Sequence, residues 1–152
     1  MPELLERVGS AISKCFTFSE PFSAEAAICN YYPANVGTIG IHRDDSEYCS
    51  HPIVSISLGL PAVFLLGKGE RDDPCHELLL EHGDLLIMDG ADRQSLHAVP
   101  RVLDFETATC LSDYSVENIR DSFQCIRYRD SDTVLNYLRQ ARININLRQV
   151  SA

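Results

Sequence analysis

The chain has 152 residues, 45% of them hydrophobic and 23% charged, which suits one domain with a real core and excludes a disordered chain. The formal net charge is −9 and there is no Trp. Non-specific nucleic-acid binding is largely phosphate neutralisation by Lys and Arg, so a general DNA coat is excluded and any such contact falls to a local basic patch or a further segment.

Residues 1–20 do not read as a signal peptide, because Glu3 and Glu6 stand where a basic start is expected and the apolar run is short. Leu4, Leu5, Val8, Ile12 and Phe16 recur at helical spacing, which predicts an amphipathic helix over 3–16. Short apolar runs bounded by Gly, Pro and Asp follow at Ala26–Tyr32, Gly37–His42, Pro52–Leu58, Ala62–Leu66, Glu77–Leu80, Asp84–Met88 and Leu96–Val99. Their length and β-branched content predict strands. Gly67-Lys68-Gly69 and Glu81-His82-Gly83-Asp84 read as tight turns. Many short strands without intervening helices predict a mainly β fold, a sandwich or jelly roll. Residues 104–141 read as an insertion rich in Asp, Glu, Ser and Thr, ending in a helix Thr133–Gln140 with Asp132 as N-cap. A last strand is expected at Arg142–Val150. The whole, 1–152, is expected to be one catalytic domain, with 1–22 as N-terminal helix and linker.

The six cysteines are scattered without a C-x-x-C pair, which reads as free thiols in a reducing compartment. No run approaches membrane-spanning length. A soluble intracellular monomer without membrane contact is expected, in nucleus, cytoplasm or mitochondrion.

Two His-x-Asp triplets stand out among the five histidines, His42-Arg43-Asp44 and His82-Gly83-Asp84. The second sits in a Gly-containing turn, where Asp is ordinary turn chemistry. The first ends an alternating apolar run, so both side chains leave one face of a stiff element. His97 lies far enough downstream to come from a neighbouring strand. His42, Asp44 and His97 together suit a non-haem Fe(II) site of the two-His-one-carboxylate type. Cys49 with His51, and Cys75 with His76, lack the second pair a zinc site needs and read as loop residues.

Arg142-Ile143-Asn144-Ile145-Asn146-Leu147-Arg148 alternates strictly. The apolar residues are expected to face the core and the polar ones to share the opposite face. That face reads either as a solvated edge or as a pocket wall. As a wall, its arginines stand roughly 20 Å apart along the strand and lean inward to bracket a short dicarboxylate. A small diacid beside such an iron site points to 2-oxoglutarate.

On these residues the chain resembles the AlkB family of Fe(II)- and 2-oxoglutarate-dependent dioxygenases, and within it the homologue-one branch. The resemblance rests on Cys29-Asn30-Tyr31-Tyr32, His42-Arg43-Asp44, the run Pro52–Phe64, Leu80–Asp84, His97-Ala98-Val99-Pro100-Arg101 and the strand Arg142–Val150. It implies a double-stranded β-helix with a few flanking helices, iron on His42, Asp44 and His97, and O2 and 2-oxoglutarate as co-substrates. It implies Arg142 and Arg148 on the two carboxylates, with Asn30, Tyr32, Asn144 and Ser55 beside them. Ser46 and Arg71 fall on the substrate side. Ser46 stands where bacterial members carry an acidic residue, so base preference does not carry over. The family's N-terminal nucleotide-recognition lid is not found ahead of the core.

The activity implied is oxidative N-demethylation of a methylated nucleic acid, whether tRNA, RNA or DNA. Two other readings stay open: a protein or small-molecule hydroxylase of the same chemistry, and a lid-less fragment acting as a binding module.

Overall fold

The computed structural model describes residues 1–45, 50–70, 72–111 and 131–151. Ser46, Arg71, Cys49 and half of the expected insertion lie outside them.

Helix α1 (Glu3–Cys15) opens the chain. Eight strands follow: β1 (Ala26–Pro33), β2 (Ile39–His42), β3 (Ile53–Gly59), β4 (Ala62–Gly67), β5 (Cys75–Leu80), β6 (Leu85–Met88), β7 (His97–Val102) and β8 (Ala141–Arg148). A 3-10 helix, Gly90–Gln94, precedes β7, and helices α2 (Phe105–Leu111) and α3 (Ser131–Leu138) precede β8. Two four-stranded antiparallel sheets result, with orders β1-β8-β3-β6 and β2-β7-β4-β5. The chain passes between the sheets at almost every step, which is the winding of a double-stranded β-helix.

Side chains alternate across each strand, so every strand serves two environments. Tyr32, Ile53, Phe64, Leu80, Met88, Val99 and Val102 meet between the sheets and form the main core. Val54, Ile56, Ile87, Ile145 and Leu147 leave the opposite face of the first sheet and pack under α1, against Leu5, Val8, Ile12 and Phe22. Both faces of β8 follow the alternation: its apolar residues join a core, the one under α1, and its polar residues form a pocket wall. Ile145 and Leu147 point outward to α1, while the polar row Arg142, Asn144, Asn146 and Arg148 faces the interior. Within α1 the inward stripe is narrower than expected, since Leu4 and Phe16 are exposed.

Several boundaries move for identifiable reasons. β2 starts at Ile39 because the residues after β1, 34–37, are spent on a turn, with Asn35 at φ 63° and the Gly37 N–H donating to the Pro33 carbonyl at 2.9 Å. β7 runs through Pro100 to Val102. Val63 pairs with Arg101 and Leu65 with Ala98, so Phe64 faces two residues and Pro100 sits in a bulge, where a missing N–H is tolerated. α2 forms where no helix was expected. Asp104 caps it, accepting the Thr107 N–H at 2.7 Å. α3 begins at Ser131, so Asp132 lies in its first turn instead of capping it. β8 stops at Arg148, where Glu25 takes the Val150 and Ser151 N–H groups at 2.9 and 2.7 Å.

Gly59 closes β3 at φ +82°, and a Cβ there would lie 2.3 Å from the Ala141 carbonyl oxygen. Left-handed strain and backbone overpacking act together at this point. Gly59→Ala is therefore expected to destabilise the fold by about 2–4 kcal/mol, read from the urea midpoint at constant m.

Candidate metal centre and anion pocket

His42 ends β2, His97 begins β7, and the two residues are direct partners across the ladder. Their rings lie 4.2 Å apart between centroids. Asp44 follows two residues after the strand ends. One ligand atom from each of His42, Asp44 and His97 falls within 4.8 Å of the others. Asp44 Oδ2 is 3.7 Å from His97 Nε2.

Each imidazole is aimed by its own backbone. His42 Nδ1 meets the Gly40 carbonyl at 2.9 Å, and His97 Nδ1 meets the Ser95 carbonyl at 3.1 Å. A carbonyl accepts only, so Nδ1 carries the proton in both rings and Nε2 keeps its lone pair for a cation. Burial, above all, holds the His97 pKa below its usual value, with His42 and Arg148 pushing the same way against Ser95 and Asp44. A neutral imidazole is the form a metal needs.

The cluster opens onto a narrow cleft lined by Asn30, Tyr32, Ser55, Arg142, Asn144 and Asn146 among others. Arg142 is 2% exposed. Its Nη2 donates to Ser57 Oγ at 2.9 Å and its Nη1 to the Leu80 carbonyl at 3.4 Å. Its Nε has no partner, and no carboxylate pairs with it among the described residues. Burial lowers its pKa to about 10, against Tyr32 and Asp84, so it stays cationic at neutral pH. A buried, unpaired guanidinium is costly and favours an anion with fork geometry. Burial raises the Tyr32 pKa, partly offset by Arg142, so its hydroxyl is protonated.

Arg148, six residues along β8, donates from Nη2 to Asp44 Oδ1 at 2.8 Å, and its Nε is buried without a partner. Asn144 Nδ2 donates to Ser55 Oγ at 2.6 Å, and Asn30 Nδ2 reaches Asn144 Oδ1 at 3.4 Å. Thus the expected residues Asn30, Tyr32, Ser55, Arg142, Asn144, Arg148, His42, Asp44 and His97 converge on one place. Ser46 and Arg71 fall outside the described residues.

Two participants escaped the sequence. Ser57 holds Arg142, and its position two residues after Ser55 on an alternating strand was the available signal. Arg93 is 4% exposed and donates to the Asp44 carbonyl, but nothing in its local sequence marks it. The other His-x-Asp triplet is the turn it resembled. Gly83 has φ 91°, and Asp84 Oδ2 accepts the Glu81 N–H at 2.7 Å. His82 Nδ1 accepts the Gly59 N–H at 2.9 Å.

A jelly roll that gathers two imidazoles, one carboxylate and an inward cation at one cleft defines a metal-binding core built to take a small acid. Residues 1–148 match the family model of the 2OG-Fe(II) oxygenase superfamily, and the chain belongs to that superfamily. The resemblance to the AlkB family is borne out by curated relatives. The chain is 38% identical over 133 residues to the DNA N(6)-methyladenine demethylase ALKBH1A of Arabidopsis thaliana, covering 86% of this chain and 36% of that protein. It is 39% identical over 140 residues to the human nucleic acid dioxygenase ALKBH1, covering 88% and 36%. The chain thus spans about a third of the length of these relatives. The solved structure of OsALKBH1 has the same fold, with a TM-score of 0.65 at 22% identity over 98% of this chain and 66% of that one.

The superfamily's Fe(II) and 2-oxoglutarate fit the residues present. The donor set offers two Nε2 lone pairs and a carboxylate, and Arg142, with its orphaned Nε, lines the same cleft.

Burial lowers the His82 pKa below 6.5, and its Nδ1 acts as an acceptor. The unfolded chain therefore binds a proton first as pH falls, so stability is full above 6.5 and declines from there toward the folded value. His97 adds a loss of the same sign. The urea midpoint is expected to drop between about pH 7.5 and about pH 5, and less steeply in His82→Asn, whose amide oxygen can still accept the Gly59 N–H.

Proposed function

We propose that the chain is the catalytic core of an oxidative demethylase that removes N-methyl groups from nucleic acid. The observation that carries the reading is the His42–Asp44–His97 cluster set against the unpaired Arg142 in one cleft. The substrate class is supported by relatives named as demethylases or dioxygenases of nucleic acid, among them the tRNA demethylase abh1 of Schizosaccharomyces pombe at 34% identity over 114 residues. An intracellular compartment is supported by Cys15, Cys29, Cys75 and Cys110, all exposed and unpaired.

In this reading His42, Asp44 and His97 hold Fe(II). Arg142 takes one carboxylate of 2-oxoglutarate and Arg148 the other. Bound together, metal and co-substrate supply the activation of dioxygen, coupled to decarboxylation of 2-oxoglutarate to succinate and carbon dioxide. The protein's own work is placement. Ser57 and the Leu80 carbonyl hold the Arg142 fork, and the Asn30–Asn144–Ser55 chain stiffens the wall beside it. Tyr32, Phe64, Leu86 and Met88 limit water in the cleft. Arg148 is paired to Asp44, so its charge sits beside the metal ligands. Hydroxylation of the N-methyl carbon gives a hemiaminal that releases formaldehyde and the bare amine. A base must be flipped out or single-stranded to reach the cluster. Ser46 and Arg71 stand on the substrate side by family resemblance.

Formaldehyde release from methylated tRNA, RNA and DNA oligonucleotides, with added Fe(II) and 2-oxoglutarate, tests the activity. His42→Ala is expected to lose at least about 100-fold in turnover, more than removing a supporting contact to a ligand costs. Succinate formation with no demethylation of any methylated nucleic acid overturns the substrate. The net charge of −9 favours a second reading, a hydroxylase of a protein or small molecule. Affinity for an oligonucleotide that falls steeply with salt decides for nucleic acid, and a flat salt response decides for the second reading.

Arg142→Met is expected to raise the KM for 2-oxoglutarate about 10- to 100-fold, the worth of hydrogen bonds to a charged group. Its metal affinity should stay near that of the wild type. A change in metal affinity with an unchanged KM would contradict the assignment of Arg142 to the co-substrate.

A further inference from the structure

β2 ends at His42, so the two histidines stand on a paired ladder while Asp44 lies in chain that no strand holds. A metal site tolerates only a few tenths of an ångström in its ligand positions, so something else must fix this carboxylate. Arg43 does not fix it from its own side chain, which turns away to donate to the Gly69 carbonyl.

Arg148 holds the carboxylate itself at Oδ1, and Arg93 is the side chain placed to hold the main chain behind it. It sits in the 3-10 helix Gly90–Gln94, four residues ahead of His97, and is 4% exposed. Its Nη1 donates to the Asp44 carbonyl at 2.8 Å and its Nε to the His51 carbonyl at 2.6 Å. One planar fork therefore holds the main chain at Asp44 and again at His51. The short helix is itself anchored. Asp89 accepts the Gly90 N–H at 2.8 Å and the Ser19 N–H at 2.7 Å, and its other contact is the Ser19 hydroxyl. The Ser95 carbonyl that aims His97 lies just beyond the same helix. One element thus sets two of the three donors, the carboxylate through Arg93 and an imidazole through Ser95.

We propose that Arg93 is a positioning residue for the metal centre, fixing the Asp44 carboxylate through its main chain and tying it to the strand that carries His97. Arginine suits the task because its fork spans two carbonyls at once, whereas lysine's point charge reaches one. The proposal rests on the reading of His42, Asp44 and His97 as metal ligands.

Co(II) is the probe, bound anaerobically without co-substrate and followed by its ligand-field absorption. Wild type, Arg93→Lys, Arg93→Met and Arg93→Ala are compared, with thermal melts giving the folded fraction. Arg93→Met is expected to bind Co(II) about 10- to 100-fold more weakly than wild type, in the range found when a supporting contact to a ligand is lost. Its absorption band should change shape, Arg93→Lys should fall between, and methylguanidinium should restore affinity to Arg93→Ala. Folded variants with wild-type affinity and band shape overturn the proposal. So does a loss of binding that merely follows the unfolded fraction while the folded remainder keeps the wild-type band. Failure of the wild type itself to bind Co(II), or binding that His42→Ala leaves intact, sinks the ligand assignment instead.

Discussion

A guanidinium enclosed between two β-sheets is the constraint around which this molecule is arranged. Arg142 lies on β8, which is paired on both sides, by β1 and by β3. One face of β8 packs under α1 and the other meets the facing sheet. The row Arg142, Asn144, Asn146 and Arg148 is therefore committed to the interior. The surrounding residues answer that commitment: Ser57 and the Leu80 carbonyl on Arg142, Ser55 and Asn30 on Asn144, Asp44 on Arg148. The polar row is satisfied in part, and among the described residues no carboxylate pairs with Arg142. Such an arrangement is expensive for folding alone, and it makes sense as a place kept for an acid.

The metal cluster uses different physics. His42 and His97 need no long-range framework beyond one antiparallel pairing, which sets them side by side. Carbonyls two residues upstream, on Gly40 and Ser95, then choose the tautomer. Asp44 is the outlying member, beyond the end of the ladder. It is reached by charged groups from two distant parts of the chain, Arg148 on the carboxylate and Arg93 on the carbonyl. Paired strands supply the stiff donors, and buried arginines supply stiffness where pairing has run out.

Much of this was readable residue by residue. Alternation in Arg142–Arg148 put the arginines and asparagines on one face, and the same alternation in Ile53–Gly59 placed Ser55 where Asn144 meets it. The apolar residues of β8 do meet a core, the smaller one under α1. Period two says which residues share a face but not which face looks inward, and α1 supplies the second apolar surface that receives Ile145 and Leu147. The apolar run ends at Val99, yet β7 continues through Pro100, because a bulge opposite Phe64 removes the need for its missing N–H. Asp44 was placed on a stiff strand with His42, whereas the strand ends one turn of the pleat too soon.

By itself the sequence determined the alphabet of the site: which imidazoles, carboxylates and guanidinia exist, and at what spacing along short strands. Local chemistry carries that information, since alternation, turn residues and ligand types act over a few positions. Only the tertiary structure decided that the polar face of β8 is interior, that Ser57 and Arg93 belong to the site, and that Asp44 is steadied from across the fold. Those facts depend on pairings between residues tens of positions apart, and such pairings are set by the closing of two sheets over one another.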